Sequence, residues 1–231
     1  DARARDDDLL ETLTLVFAAS GAAFGAFADL LAARWPRHAD CASRSTDWRT
    51  VAVLAAGLLA FAALVLRWQE PRDQLVLGVY FAALIVLLAT DLDQRLLPDL
   101  LTLPLIAYTL VVLLLGWNPL LAGKDLAALS AIAAGIGAPA VLVLTSRVFG
   151  GGLGMGDVKM LAMVGAFIGW KLALVTLMMA SLSGSVIGVL LIATKRGDMK
   201  YALPFGTFLA LGAALAATIG PEALRWYLGL W

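Results

Sequence analysis

Asp157 lies in a glycine-rich run, Phe149 to Met160 (F-G-G-G-L-G-M-G-D-V-K-M), between two long apolar stretches. In hydrocarbon an ionisable side chain costs about 3 kcal/mol or more, so it usually faces protein or a water-filled cavity and marks a functional site. Glycine-rich backbone at that depth is likewise tolerated only where protein or a cavity satisfies its N–H and C=O groups. A second acid, Asp91, directly follows Leu87-Leu88-Ala89-Thr90 and so belongs to the end of an apolar helix. Peptide hydrolysis needs a base to take a proton from water and an acid to give one to the leaving amine. Two carboxylic acids sharing a site supply both, because like charges side by side leave one protonated and one ionised. Gly154 and Gly156, just before Asp157, would let an extended substrate backbone approach without meeting Cβ atoms. Such chemistry needs neither a nucleophilic side chain nor a cofactor.

Charged neighbours surround both acids. Pro98 disfavours helix at Leu97 and suits a helix start, so Asp99 reads as a cap for the helix that follows. Asp93 and Arg95 read as a solvated pair at the membrane face. Lys159 is placed to hold positive charge beside Asp157 or to meet an acidic group of a substrate, and it also fits a membrane-topology signal.

The elements that must position these residues follow from composition. Of 231 residues, 61% are hydrophobic and only 15% charged, with no net charge; the mean hydropathy is +0.89. Soluble domains sit near about 45–50% apolar and about 25% charged, so this is an integral membrane protein of the all-α class, with the lipid bilayer as its first partner. Zero net charge removes any argument for a nucleic-acid partner. A membrane helix takes about 20 largely apolar residues. Eight stretches qualify, at 9–33, 51–66, 74–90, 100–117, 126–145, 158–168, 172–194 and 204–220; the sixth is short, and Gly169, Trp170 and Lys171 separate it from the seventh. Ten of the 17 Lys and Arg fall on one side of the alternation, which places the amino terminus outside and both acids at cytoplasmic helix ends. Asp6, Asp7 and Asp8 precede the first apolar run where a signal peptide would be basic, so none is expected. No repeat or linker divides the chain, and 1–231 reads as one polytopic membrane domain.

Other readings of the same residues are weaker. A phosphate loop would need Lys and then Ser or Thr after the last glycine, and a dinucleotide fold would need a preceding strand. Close helix packing explains Gly150 to Gly152 but not Asp157. A proton- or cation-coupled transporter using Asp91 and Asp157 is the alternative from another class. A lipid-modifying enzyme holding Mg²⁺ on Asp91, Asp93, Asp99 and Asp157 is a third.

Gly154-Met155-Gly156-Asp157 with Val158-Lys159 resembles the Gly-x-Gly-Asp signature of the prepilin leader peptidases, which are membrane aspartic proteases. The likeness extends to Asp91 with Leu97 to Pro104, to Lys159 to Ala166, and to Pro204 to Gly212, all in the same order. It implies that Asp91 and Asp157 are the catalytic pair, within a peptidase core at 74–220. It also implies cleavage of type IV prepilins or type II secretion pseudopilins on the cytoplasmic side of the bacterial inner membrane. Residues 1–70 match less well: Gly21 to Asp29, leading to Arg34-Trp35-Pro36, resembles a worn form of the family's first helix.

Many family members carry two Cys-x-x-Cys pairs in the following loop, a region associated with methylation of the new amino terminus. Here that loop is shortened to 34–50, with Cys41 the only cysteine. Zinc takes about four ligands, which His38 and Cys41 do not supply, so no metal is expected. S-adenosylmethionine enters only if the methyltransferase activity is retained. Asp29 is expected to pair with Arg34. Trp35, Trp68, Trp117, Trp170, Trp226 and Trp231 fall near helix ends as interfacial anchors.

Overall fold

The computed structural model describes residues 2–35, 46–121, 126–148, 154–194 and 204–229. These form eight helices and, among the described residues, no strand: α1 (Ala2–Ala32), α2 (Trp48–Arg67), α3 (Pro71–Gln94), α4 (Asp99–Leu114), α5 (Ala127–Val148), α6 (Met155–Ala193), α7 (Phe205–Thr218) and α8 (Gly220–Leu228). Their limits follow local chemistry. Asp47 caps α2 by accepting from the N–H groups of Arg49 at 2.9 Å and Thr50 at 3.4 Å. Pro71 opens α3, where its missing N–H costs nothing, and Arg95 ends α3 in the left-handed conformation.

α3 is the central helix, touched by α1, α2, α4 and α7. It is apolar all round, and Leu77, Phe81, Leu84, Leu87 and Leu88 are all buried, as expected of a helix enclosed by others. The outer surface is apolar too: Leu100, Leu114, Ile136 and Val189 point outward. That arrangement suits hydrocarbon rather than water. Among the described residues, five helices are long and apolar enough to cross a membrane, and six if α7 and α8, bent by 69°, form one span. The chain is a multi-pass, all-α membrane protein.

The eight expected stretches map onto α1 to α5, the two parts of α6, and α7; α8 is an addition after the bend. α6 is interrupted at Gly169, whose φ of 77° and ψ of 172° belong to no helix. Contacts on either side show what the interruption does. Gly156, before it, packs on Leu97, and Gly184, after it, packs on Phe208, both at the end of the bundle where Asp91 lies. Gly169 itself meets Ser130 and Leu121 at the opposite end. The chain therefore runs out along α5, turns back at one residue and returns along α7. Breaking a helix frees backbone groups, and here they are recovered: Asn118 Nδ2 donates to the Phe167 carbonyl at 2.7 Å, and the Trp170 N–H donates to Ser130 Oγ at 3.1 Å.

Candidate active site

Asp91, Asp157 and Thr207 stand at the end of α3, the start of α6 and the start of α7. Asp91 is 4% exposed. Its Oδ2 accepts two hydrogen bonds from Thr207, from the N–H at 2.5 Å and from the hydroxyl at 2.9 Å. The Arg95 guanidinium lies within electrostatic reach of it. A buried carboxylate is costly unless hydrogen-bonded, so Thr207 is what makes Asp91 tolerable there. Asp157 is half-buried on the first turn of α6, its N–H bonded to the Gly154 carbonyl at 3.1 Å. The two acids interact electrostatically across the gap between α3 and α6.

Glycines allow this closeness. A Cβ on Gly206 would lie 3.0 Å from Asp91 Cγ and 2.9 Å from Leu97 Cδ1. A Cβ on Gly156 would lie 2.9 Å from Leu97 Cβ. Leu97 thus wedges between the starts of α6 and α7, with Asp91 behind it. A Cβ on Gly154 would sit 3.3 Å from Asp157 Oδ2, so that glycine leaves the carboxylate uncovered. The earlier glycines, Gly150 to Gly152, lie outside the described residues, as do His38 and Cys41.

Several expected roles are corrected. Asp99 is the first residue of α4 rather than its cap: Pro98 holds the cap position, with no side-chain bond. Asp99 instead binds Lys159, both carboxylate oxygens lying 2.7 Å from Nζ, which ties α4 to the start of α6. Asp93 does not face solvent with Arg95 but turns inward to Arg49 at 3.2 Å, its side chain only 3% exposed. Asp29 accepts a hydrogen bond from Thr50 at 2.8 Å. With Asp93 on Arg49 and Asp99 on Lys159, the four acids of the Mg²⁺ reading do not converge. Among the described residues no three His, Cys, Asp or Glu side chains form a metal-holding group.

Thr207 is the residue that sequence reasoning missed. A threonine at the start of a helix ordinarily signals its own cap, so only its place in the Pro204 to Gly212 segment points to the site. Gln94 is another: its side chain donates to the carbonyls of Ala32 at 2.5 Å and Trp35 at 3.1 Å, pinning the end of α1 beside the site.

Fold and site together define a polytopic membrane protein with one buried and one half-buried aspartate at neighbouring helix ends, the buried one bonded to the start of α7. Residues 78–189, which hold both Asp91 and Asp157, match the model of the type IV leader peptidase family. The chain is 34% identical over 182 residues to a prepilin leader peptidase/N-methyltransferase of Aeromonas hydrophila, covering 76% of this chain and 55% of that protein. It is 38% identical over 170 residues to the protein of that name from Burkholderia pseudomallei, covering 72% and 53%. The similarity to the type IV leader peptidase family thus lies in the region that holds both acids. It spans about half the length of the curated relatives it matches. No solved structure matches it.

Proposed function

We propose that the chain carries the peptidase core, 74–220, of a membrane aspartic endopeptidase. Its substrates are type IV prepilins or type II secretion pseudopilins, cut after their basic leader on the cytoplasmic side of the bacterial inner membrane. The observation that carries the reading is the meeting of the two acid-bearing elements at Leu97: Asp91, held by Thr207, lies behind that side chain, and the first turn of α6, which carries Asp157, packs on it through Gly156. One carboxylate takes a proton from water as its oxygen attacks the scissile carbonyl carbon. The other, protonated, gives its proton to the amine as the C–N bond breaks. Gly154 leaves the Asp157 carboxylate uncovered for the extended leader, Gly156 makes room for Leu97 behind it, and the Lys159–Asp99 pair supports the helix start that carries them. The relatives' names join an N-methyltransferase to the peptidase; if that activity is retained here, its methyl group comes from S-adenosylmethionine and the hydrolytic step does not depend on it.

The test is cleavage of a full-length prepilin by purified protein in detergent, with EDTA present and S-adenosylmethionine absent. Asp91→Asn and Asp157→Asn keep the shape of each side chain and are each expected to lower the rate by about 10²–10⁴-fold. Undiminished cleavage by both variants would sink the proposal, and ion flux in proteoliposomes would become the next measurement.

A further inference from the structure

At the end of the bundle opposite the acid pair lies a cavity of about 1310 Å³. It exceeds the roughly 300–1,000 Å³ of a small-molecule site, and its walls are apolar, formed by Leu66, Leu129, Ala133, Ile168 and Leu224 among others. Its charged lining is lopsided. Arg67, Lys171 and Arg225 face a single acid, Glu222, among the described residues. Glu222 is already shared, paired with Arg67 and, at 3.0 Å, with Arg225. The Lys171 ammonium sits over the Trp170 ring, 5.7 Å from its centroid.

The backbone adds to this positive character. The turn at Gly169 starts a new helix whose first residues, Trp170 to Leu172, line the cavity. The positive end of that helix dipole therefore points into a space already rich in cations. Trp68 and Trp170 border the same space, and tryptophans prefer the level of lipid headgroups. An apolar groove with a cationic, aromatic mouth at a membrane face fits an amphiphile with an anionic head and hydrocarbon tails.

We infer that this cavity binds an anionic phospholipid of the leaflet opposite the acid pair. Lys171, Arg225 and Arg67 hold its phosphate, and its acyl chains lie along Leu129 and Ala133 on α5.

Native mass spectrometry of the purified protein in detergent, titrated with phosphatidylglycerol or phosphatidylcholine, tests this. Wild type should hold phosphatidylglycerol about tenfold or more tightly than phosphatidylcholine. Lys171→Gln combined with Arg225→Gln should erase that preference; both side chains are exposed, Arg225 at 76%, so the packing is untouched. Ala133→Trp, which keeps every charge but fills the apolar wall, should weaken retention of both lipids. Excess inorganic phosphate should not displace bound phosphatidylglycerol. Equal retention of the two lipids by wild type, a preference that survives the double substitution, or displacement by phosphate alone would each overturn the assignment.

Discussion

Thr207 donates both its backbone N–H and its hydroxyl to a single oxygen of Asp91, joining the start of α7 to the end of α3. The hydroxyl bond orients the carboxylate. Hydrogen bonds to charged groups contribute about 1.5–3 kcal/mol, so Thr207→Val, which keeps the N–H and the shape, should lower prepilin cleavage by about 10- to 100-fold. Thr207→Ser should stay near wild type. The loss should appear in kcat with KM unchanged, because the contact orients a reacting group; a rise in KM alone would mean that Thr207 binds substrate instead.

Gly206 provides the space that this bond requires. Gly206→Ala would drive a methyl to 3.0 Å from Asp91 Cγ, displacing either the carboxylate or Leu97. Gly184→Ala is the matched control, because its Cβ would meet Phe208 at an ordinary 3.5 Å. Alanine is favoured over glycine inside a helix by about 0.5–1 kcal/mol, so Gly184→Ala should unfold at the same or a higher temperature and cleave normally. Gly206→Ala should lose most of its cleavage rate. Equal activity in the two would show that the Asp91 carboxyl can move without consequence.

The acid pair is legible in the sequence because an aspartate beside Leu87-Leu88-Ala89-Thr90, or among glycines between apolar runs, has no cheaper explanation in a membrane. The helices are legible for the same reason, since hydrocarbon demands long apolar stretches. Partners distant in the chain leave no local trace. Asp93 looks paired with Arg95 at two residues' distance, yet Arg49, brought beside it by the α2–α3 contact, takes the pair. Gly169 announces a break, but the reversal there depends on Asn118 and Ser130, which nothing nearby in the sequence marks out. α8 falls outside the expected run at 204–220 because its nine residues, Gly220 to Leu228, are too few and, with Glu222 and Arg225, too polar to read as a span.

Lys159 and Asp99 make a pair that joins α4 to α6 at the edge of the site, with the two side chains 32% and 57% exposed. Exposed pairs contribute about 0.2–1 kcal/mol, so Lys159→Met should lower the unfolding temperature slightly and leave cleavage within a few-fold of wild type. Exchanging the charges, Lys159→Asp with Asp99→Lys, should restore stability. If the exchanged protein is stable but does not cleave, Lys159 acts on substrate or on Asp157 rather than on Asp99.

The turn at Gly169 sets the position of everything before it on α6, including Asp157. Its φ of 77° is a region where a side chain costs about 1–3 kcal/mol. A Cβ there would also lie 2.6 Å from Ser130 Oγ, the acceptor of the Trp170 N–H. Gly169→Ala should therefore both strain the turn and displace its cap. Asn118→Leu removes the donor to the Phe167 carbonyl and leaves that buried group unpaired, at a cost of about 1–3 kcal/mol. Thermal unfolding in detergent should show each variant melting lower than wild type. Both substitutions damage one turn, so the double variant should fall by less than the sum of the two. Strict additivity would mean that Asn118 and Gly169 stabilise separate parts of the fold, and the reversal of α6 would then rest on its packing against α5 and α7 rather than on the turn itself.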